Sequence, residues 1–227
     1  MDVRASTVTI PAAEVDLPAD LLMPPEPTGV VLFAHGSGSS RHSPRNVAVA
    51  QALNAGGFGT VLVDLLTPAE DEVDAVTAEL RFDIGLLADR LAGIVDWLDT
   101  ERPGGTDSIG LFGASTGAAA ALVAAAQRPN LIRAVVSRGG RPDLAGAALG
   151  QVRAPTLLLV GGLDEQVITL NQEALRQLTV PAELQVIPGA THLFEEPGTL
   201  EQVAEKASSW FRANLPAVTH PATTHHP

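Results

Sequence analysis

A chain of 227 residues with a net charge of −12 and no basic run suits one domain with a sizeable core and argues against a nucleic-acid role. It has no cysteine, which removes disulfides, zinc–thiolate sites and a cysteine nucleophile. The opening MDVRASTVTIP lacks an apolar signal core and no stretch is long and apolar enough to cross a bilayer, so the expectation is a soluble, cytoplasmic protein with no membrane partner.

Residues 7–10 and 15–22 read as two edge strands of a hairpin, closed off by Pro24 and Pro25. The run 30–34 (VVLFA) is too apolar to alternate, as a buried central parallel strand is. It leads into His35-Gly36-Ser37-Gly38-Ser39-Ser40, then a helix over 46–55 with Val47, Ala50 and Leu53 inward, ended by Gly56-Gly57. Another buried strand, 60–63, ends at Asp64, and the acidic segment 67–78 that follows is expected to be exposed. Ile84, Leu87, Leu91, Ile94, Val95 and Leu98 then recur at helical spacing over 83–99. Strand, turn and alanine-rich helix follow one another through 108–127, and Pro129 stops the helix. Strands at 132–137, 156–160 and 183–187 alternate with a helix at 167–178 and a last helix opening at Thr199, where Gln202 has capping-box spacing. Residues 216–227 are rich in Pro, Thr and His and read as a tail behind a single domain, 1–215.

This β-α alternation, without internal repeats, implies an α/β fold: a mostly parallel, doubly wound sheet with helices on both faces. Ligands in such sheets bind beyond the carboxyl ends of the strands, which is where the chemistry-bearing residues fall. The turn Gly113-Ala114-Ser115-Thr116-Gly117 has the G-x-S-x-G pattern of a nucleophile elbow, with strand before and helix after. A serine on so sharp a reversal needs small neighbours two residues either side. In return its hydroxyl stands exposed at a helix N-terminus, where free N–H groups and the helix dipole favour an oxyanion.

A serine hydroxyl needs a base, and the base needs an orienting acid. His192 leaves the last strand and Asp164 the one before it, giving the chain order Ser, Asp, His; Glu165 and Asp143 are the fallback acids. His35 is the rival histidine, but its Gly-rich neighbours fit an oxyanion loop, so it is grouped with candidate substrate contacts. That loop is neither a Walker loop, for want of a Lys-Ser/Thr pair, nor a dinucleotide fingerprint, because Arg41 stands at the third glycine position. The expected oxyanion donors are the backbone N–H groups of Ser37 and Thr116. Arg138 and Arg141, in the loop expected after 132–137, could reach a substrate carboxylate or phosphate; local pairing with Asp143 or another acid is the alternative. His220, His225 and His226 in the tail lack a carboxylate or Cys to complete a metal site, and no metal or cofactor is expected.

FAHGSGSS, DLLTP, GLFGASTGAAAAL, SRGGRPDL, VGGLDE and GATHLFEEPG together resemble the serine-bearing branch of the dienelactone hydrolase-like family of α/β-hydrolases, over 30–211. By matching positions, the resemblance implies the α/β-hydrolase fold, with Ser115 as nucleophile, Asp164 as acid and His192 as base. The dienelactone hydrolases that name the family use a Cys at the nucleophile. Its absence here favours a general hydrolase of small carboxylic esters or lactones acting through an acyl-enzyme. Acyl transfer or perhydrolysis on the same triad, and a non-catalytic binding domain of the same fold, are the alternatives. The short stretch 141–153 and the segment 67–78 leave no room for a large cap, which points to a shallow site for short acyl groups.

Overall fold

The chain turns back on itself at Ala13 and Glu14, two non-glycine residues with φ of 46° and 63°. A two-residue turn with positive φ at both positions matches the twist of an antiparallel hairpin. It joins β1 (Arg4–Ala12) to β2 (Val15–Met23), with Ala12 opposite Val15. In the computed structural model, which describes residues 3–105 and 108–215, this hairpin starts three residues earlier than the sequence suggested. The histidines His220, His225 and His226 lie outside the described residues.

The hairpin is the antiparallel edge of an eight-stranded sheet of order β1-β2-β4-β3-β5-β6-β7-β8. The remaining strands are β3 (Val30–Ala34), β4 (Gly59–Val63), β5 (Ile109–Ala114), β6 (Ile132–Arg138), β7 (Thr156–Gly161) and β8 (Ala182–Ile187). From β4 to β8 all pair in parallel. Every residue of β3, β4, β5 and β7 is buried, which is why those runs are continuously apolar. The helices are α1 (Pro44–Ala55), α2 (Pro68–Thr77), α3 (Ile84–Glu101), α4 (Thr116–Gln127), α5 (Glu165–Leu175) and α6 (Thr199–Asn214). On one face α3 and α4 bury Leu91, Ile94, Val95 and Leu122 over Leu32, Val61 and Leu111. On the other, α1 and α6 bury Val49, Leu53, Val203 and Phe211 over Val31, Phe33, Leu62 and Phe112. This is the expected mostly parallel, doubly wound α/β sheet, with no large cap among the described residues.

Three local expectations change. The acidic segment 67–78 is not merely exposed: Pro68–Thr77 form the helix α2, and Thr67 accepts from the Glu70 N–H while the Glu70 carboxylate accepts from the Thr67 N–H, a full capping box. Its Val73 and Val76 face solvent, so hydrophobic periodicity gave no helical signal. At α6 the reverse holds: Gly198 is the N-cap and the Thr199 hydroxyl donates to the Glu196 carbonyl, so the capping box expected from Thr199 and Gln202 is not made. Arg138 is not in a loop; it is the last residue of β6 and is buried.

Glu70 also ties α2 to α3. Arg90, 2% exposed, donates to both Glu70 oxygens at 2.7 and 2.5 Å and to the Leu65 carbonyl at 2.6 Å. The guanidinium, helped by the Thr67 N–H, lowers the Glu70 pKa from 4.5 to about 2. A depressed carboxylate pKa gives stability that is present above the unfolded value and lost as pH falls through the folded one. Thermal melts should therefore show the wild type losing stability between pH 4.5 and 2 more steeply than Glu70→Gln, which has no carboxylate to protonate. Parallel acid curves for the two proteins would contradict this.

Candidate active site

The reversal from β5 to α4 places Ser115 at φ 50° and ψ −121°, a region that side chains rarely occupy. Hydrogen bonds hold it there. Ser115 N–H donates to the Arg138 carbonyl at 3.2 Å, while the Ser115 carbonyl accepts from Ala118 and Arg141 N–H at 3.1 Å each. The flanking glycines are there for space. A Cβ on Gly113 would sit 2.4 Å from the Ala118 Cα, and one on Gly117 would sit 2.3 Å from the Ala34 carbonyl oxygen. The loop after β3 passes over the serine so closely that a Cβ on Gly36 would be 3.0 Å from the Ser115 Cβ.

Asp164 follows β7 and His192 follows β8, and the structure brings them together: Nδ1 and Asp164 Oδ2 are 2.6 Å apart. A carboxylate can only accept, so Nδ1 carries the proton and Nε2 is left to accept another. Gly161 makes the approach of the two loops feasible, since its Cβ would lie 2.5 Å from the Ala190 and Thr191 carbonyl oxygens. Glu196, which sequence reasoning did not single out, clamps the histidine loop by accepting from the Thr191 N–H at 3.0 Å and hydroxyl at 2.7 Å. These bonds draw its pKa down. Gly139, at φ 51°, lets the β6 exit pack on the same loop; its Cβ would be 3.1 Å from the His192 carbonyl oxygen. Ser115 Oγ and the His192 ring make no hydrogen bond to each other, and the side-chain partner of His192 is Asp164.

The loop 35–43 is fixed from below. His35 Nε2 accepts from the Leu65 N–H at 3.2 Å, so Nδ1 bears the proton and donates to the Gly36 carbonyl at 3.0 Å. Desolvation pushes the pKa of this ring down, consistent with a neutral ring held by backbone on both sides. Asp64 accepts from the Arg41 N–H at 2.6 Å and pairs with its guanidinium, which also reaches Asp20 at 3.1 Å. Ser37 N–H donates to Thr116 Oγ1 at 2.9 Å, joining the two expected oxyanion residues directly. As the first residue of α4, Thr116 has an N–H with no carbonyl a turn earlier to bond with.

A cavity of about 350 Å³ opens beside Ser37 and Thr116. Leu66, Pro68 and Leu87 supply apolar wall, and Arg41, Asp71 and Arg81 line it as well. Arg81 is tied to Asp74 at 2.5 Å, so α2 and the short turn after it form one side. His35 lines this cavity, but Ser115, Asp164, His192, Arg138 and Arg141 do not; it meets the nucleophile turn at Thr116. Arg141 forms a two-pronged pair with Asp143 at 2.9 and 2.7 Å, the local alternative its sequence position allowed. Asp143 is thereby engaged elsewhere than at His192. Among the described residues no group of His, Asp and Glu is arranged to hold a metal ion, and no helix is long and apolar enough to cross a membrane.

Residues 17–215 match the Dienelactone hydrolase family. The chain belongs to that family. A dienelactone hydrolase structure from Anabaena variabilis is 55% identical, covers 95% of this chain and 100% of its own, and superposes with a TM-score of 0.93. An esterase from Pyrococcus furiosus, 17% identical over 94% of this chain and 92% of its own, has a TM-score of 0.77 and shares the fold. A Mycobacterium tuberculosis protein, provisionally described as a phosphoribosyl transferase, is 55% identical over 212 residues. That match takes in 93% of this chain and 47% of the relative, so the chain spans about half the length of the curated relatives it matches.

The glycine geometry gives a direct test. Gly117→Ala should lower stability on the order of 3 kcal/mol or more, read by thermal melting, because the clash is with backbone that cannot retreat. Gly150→Ala, where an added Cβ meets nothing within 4 Å, should change it by less than about 0.5 kcal/mol. Equal effects would show that the close approach at the elbow is not what holds Gly117.

Proposed function

We propose that the chain is a serine hydrolase of small carboxylic esters or lactones, working through an acyl-enzyme on Ser115, His192 and Asp164. The observation that carries this is the Asp164–His192 bond of 2.6 Å at the same sheet end as a strained, glycine-flanked serine. Ser115 Oγ attacks the ester carbonyl and its proton passes to His192 Nε2. Asp164 keeps Nδ1 as the donor and stabilises the imidazolium that results. The oxyanion takes the N–H groups of Thr116 and Ser37, the latter released when the Thr116 side chain turns away from it. Collapse expels the alcohol, which collects the proton from Nε2. Water then enters by the same route in reverse and frees the acid.

The cavity adjoins the nucleophile turn at Thr116, and its volume lies at the small end of ligand-site volumes, which fits short acyl groups. His35 acts in this scheme as a support for the oxyanion loop, through its two backbone bonds. We assign the phosphoribosyl transfer in the name of the longer mycobacterial relatives to the half that this chain does not span. Serine-nucleophile chemistry makes and breaks acyl bonds, whereas that reaction must hold a diphosphate, and the two cavity arginines, Arg41 and Arg81, are already paired with aspartates.

Two measurements check the proposal. Asp164→Asn should cut kcat by about 10⁴-fold with little change in melting temperature, since it reverses the tautomer without altering shape. Turnover across p-nitrophenyl esters of rising acyl length should peak at short chains. A near-normal Asp164→Asn enzyme would remove the acid assignment, and a steady gain toward long chains would demand a deeper pocket than this one.

A further inference from the structure

Nearly every arginine bordering the candidate site has a carboxylate partner; Arg138 does not. It is 8% exposed, at the end of β6, and among the described residues no Asp or Glu pairs with it. Its Nη2 donates to Asn46 Oδ1 at 3.3 Å, and its buried Nη1 has no hydrogen-bond partner. Asn46 is also buried and lies in the first turn of α1. Beside it in that turn is Arg45, whose buried Nε is likewise without a partner, while its Nη1 reaches outward to Glu195 at 3.3 Å. The α1 N-terminus adds to the positive field. Its N-cap Ser43 makes no side-chain capping bond and its first turn holds no acidic residue.

An ionised guanidinium out of water is strongly unfavourable unless it is paired, and a second cation beside it makes matters worse. The effect is visible on Arg138, whose pKa is lowered to about 10 by burial and then by Arg45. Two orphan guanidinium N–H groups beside a helix N-terminus without a side-chain cap are what an anion requires, and Glu195, paired outward with Arg45, is the one carboxylate that pairs with either arginine among the described residues.

We infer that Arg45, Arg138 and the N-terminus of α1 form a binding site for a small inorganic anion, behind the nucleophile turn and separate from the substrate cavity. The site joins three segments that frame the chemistry. The Arg138 carbonyl accepts from the Ser115 N–H, α1 follows the oxyanion loop, and Glu195 lies three residues beyond His192. A bound anion would lock these together and so stabilise the site end of the sheet. This does not rest on the role proposed for Ser115, and its test reads stability only.

The test is thermal melting of the full chain in chloride and, separately, in phosphate, each titrated at constant ionic strength against gluconate. Binding to the folded state alone should raise the melting temperature with the logarithm of anion concentration above the dissociation constant, reaching roughly 5–10 °C at a hundredfold excess. The arm in which the rise begins at lower concentration identifies the ion. Arg138→Met should abolish the rise. In gluconate alone it should melt at or above the wild type, because it removes an uncompensated buried charge. Arg45→Gln, which alters the more exposed cation, should move the onset of the rise to at least tenfold higher anion concentration. A flat wild-type response to both anions would overturn the inference, as would a rise that survives in Arg138→Met. So would an Arg138→Met protein less stable than the wild type in gluconate, since that would make the guanidinium's bond to Asn46 its whole purpose.

Discussion

Ser115 adopts a backbone conformation that costs on the order of 1–3 kcal/mol for a residue with a side chain, and much of the surrounding structure serves to keep it there. Three backbone hydrogen bonds fix its peptide groups, two of them made with the exit of β6. Gly113 and Gly117 admit the helix and the β3 exit to distances that no Cβ would permit. The strain is thus spread into the sheet: β5 cannot relax without moving β3 and β6, to which it is paired along most of its length. A hydroxyl held this way does not have to be ordered when a substrate arrives, which is where pre-organised sites gain their rate.

The same economy of space brings the other two candidate residues together. Asp164 and His192 sit on loops from neighbouring parallel strands, and Gly161 lets those loops touch. Around the cavity, position is set by charge pairs. Arg90 fastens α2 to α3 through Glu70, Arg81 closes the turn after α2 on Asp74, and Arg41 anchors the loop after β3 on Asp20 and Asp64. Each of these arginines has its carboxylate, so the cavity presents little free positive charge to a ligand. Arg138 stands apart from that pattern on the opposite face of the sheet, among the α1 side chains.

Much of the architecture was legible because buried parallel strands are written as apolar runs and their exits as glycines. The runs beginning at Val30, Ile109 and Thr156 show this directly, and the candidates Ser115 and Asp164 could be named from their places after such runs, while His192 follows the half-exposed last strand. What escaped notice depends on contacts that no local pattern encodes. The helix α2 has its valines outward and is held by a capping box and by Arg90, twenty residues on from Glu70. Arg138 reads as a loop residue because a buried unpaired guanidinium contradicts the usual rule for strands, and its neighbour Asn46 is 92 residues away. The clamp of Glu196 on Thr191 was within reach of sequence reading, as an acid five residues on in the same loop, but nothing in that spacing distinguishes a clamp from a solvated charge.

The central claim is that Ser115 is a nucleophile made reactive by its surroundings, and covalent trapping tests it most directly. The full chain would be treated with a fluorophosphonate, digested and mapped by mass spectrometry, alongside Ser115→Ala. The account predicts a single adduct on Ser115, formed rapidly by the wild type and absent from the variant, with both proteins melting at the same temperature. An adduct on another residue, or no adduct on a wild-type chain that hydrolyses esters, would contradict it.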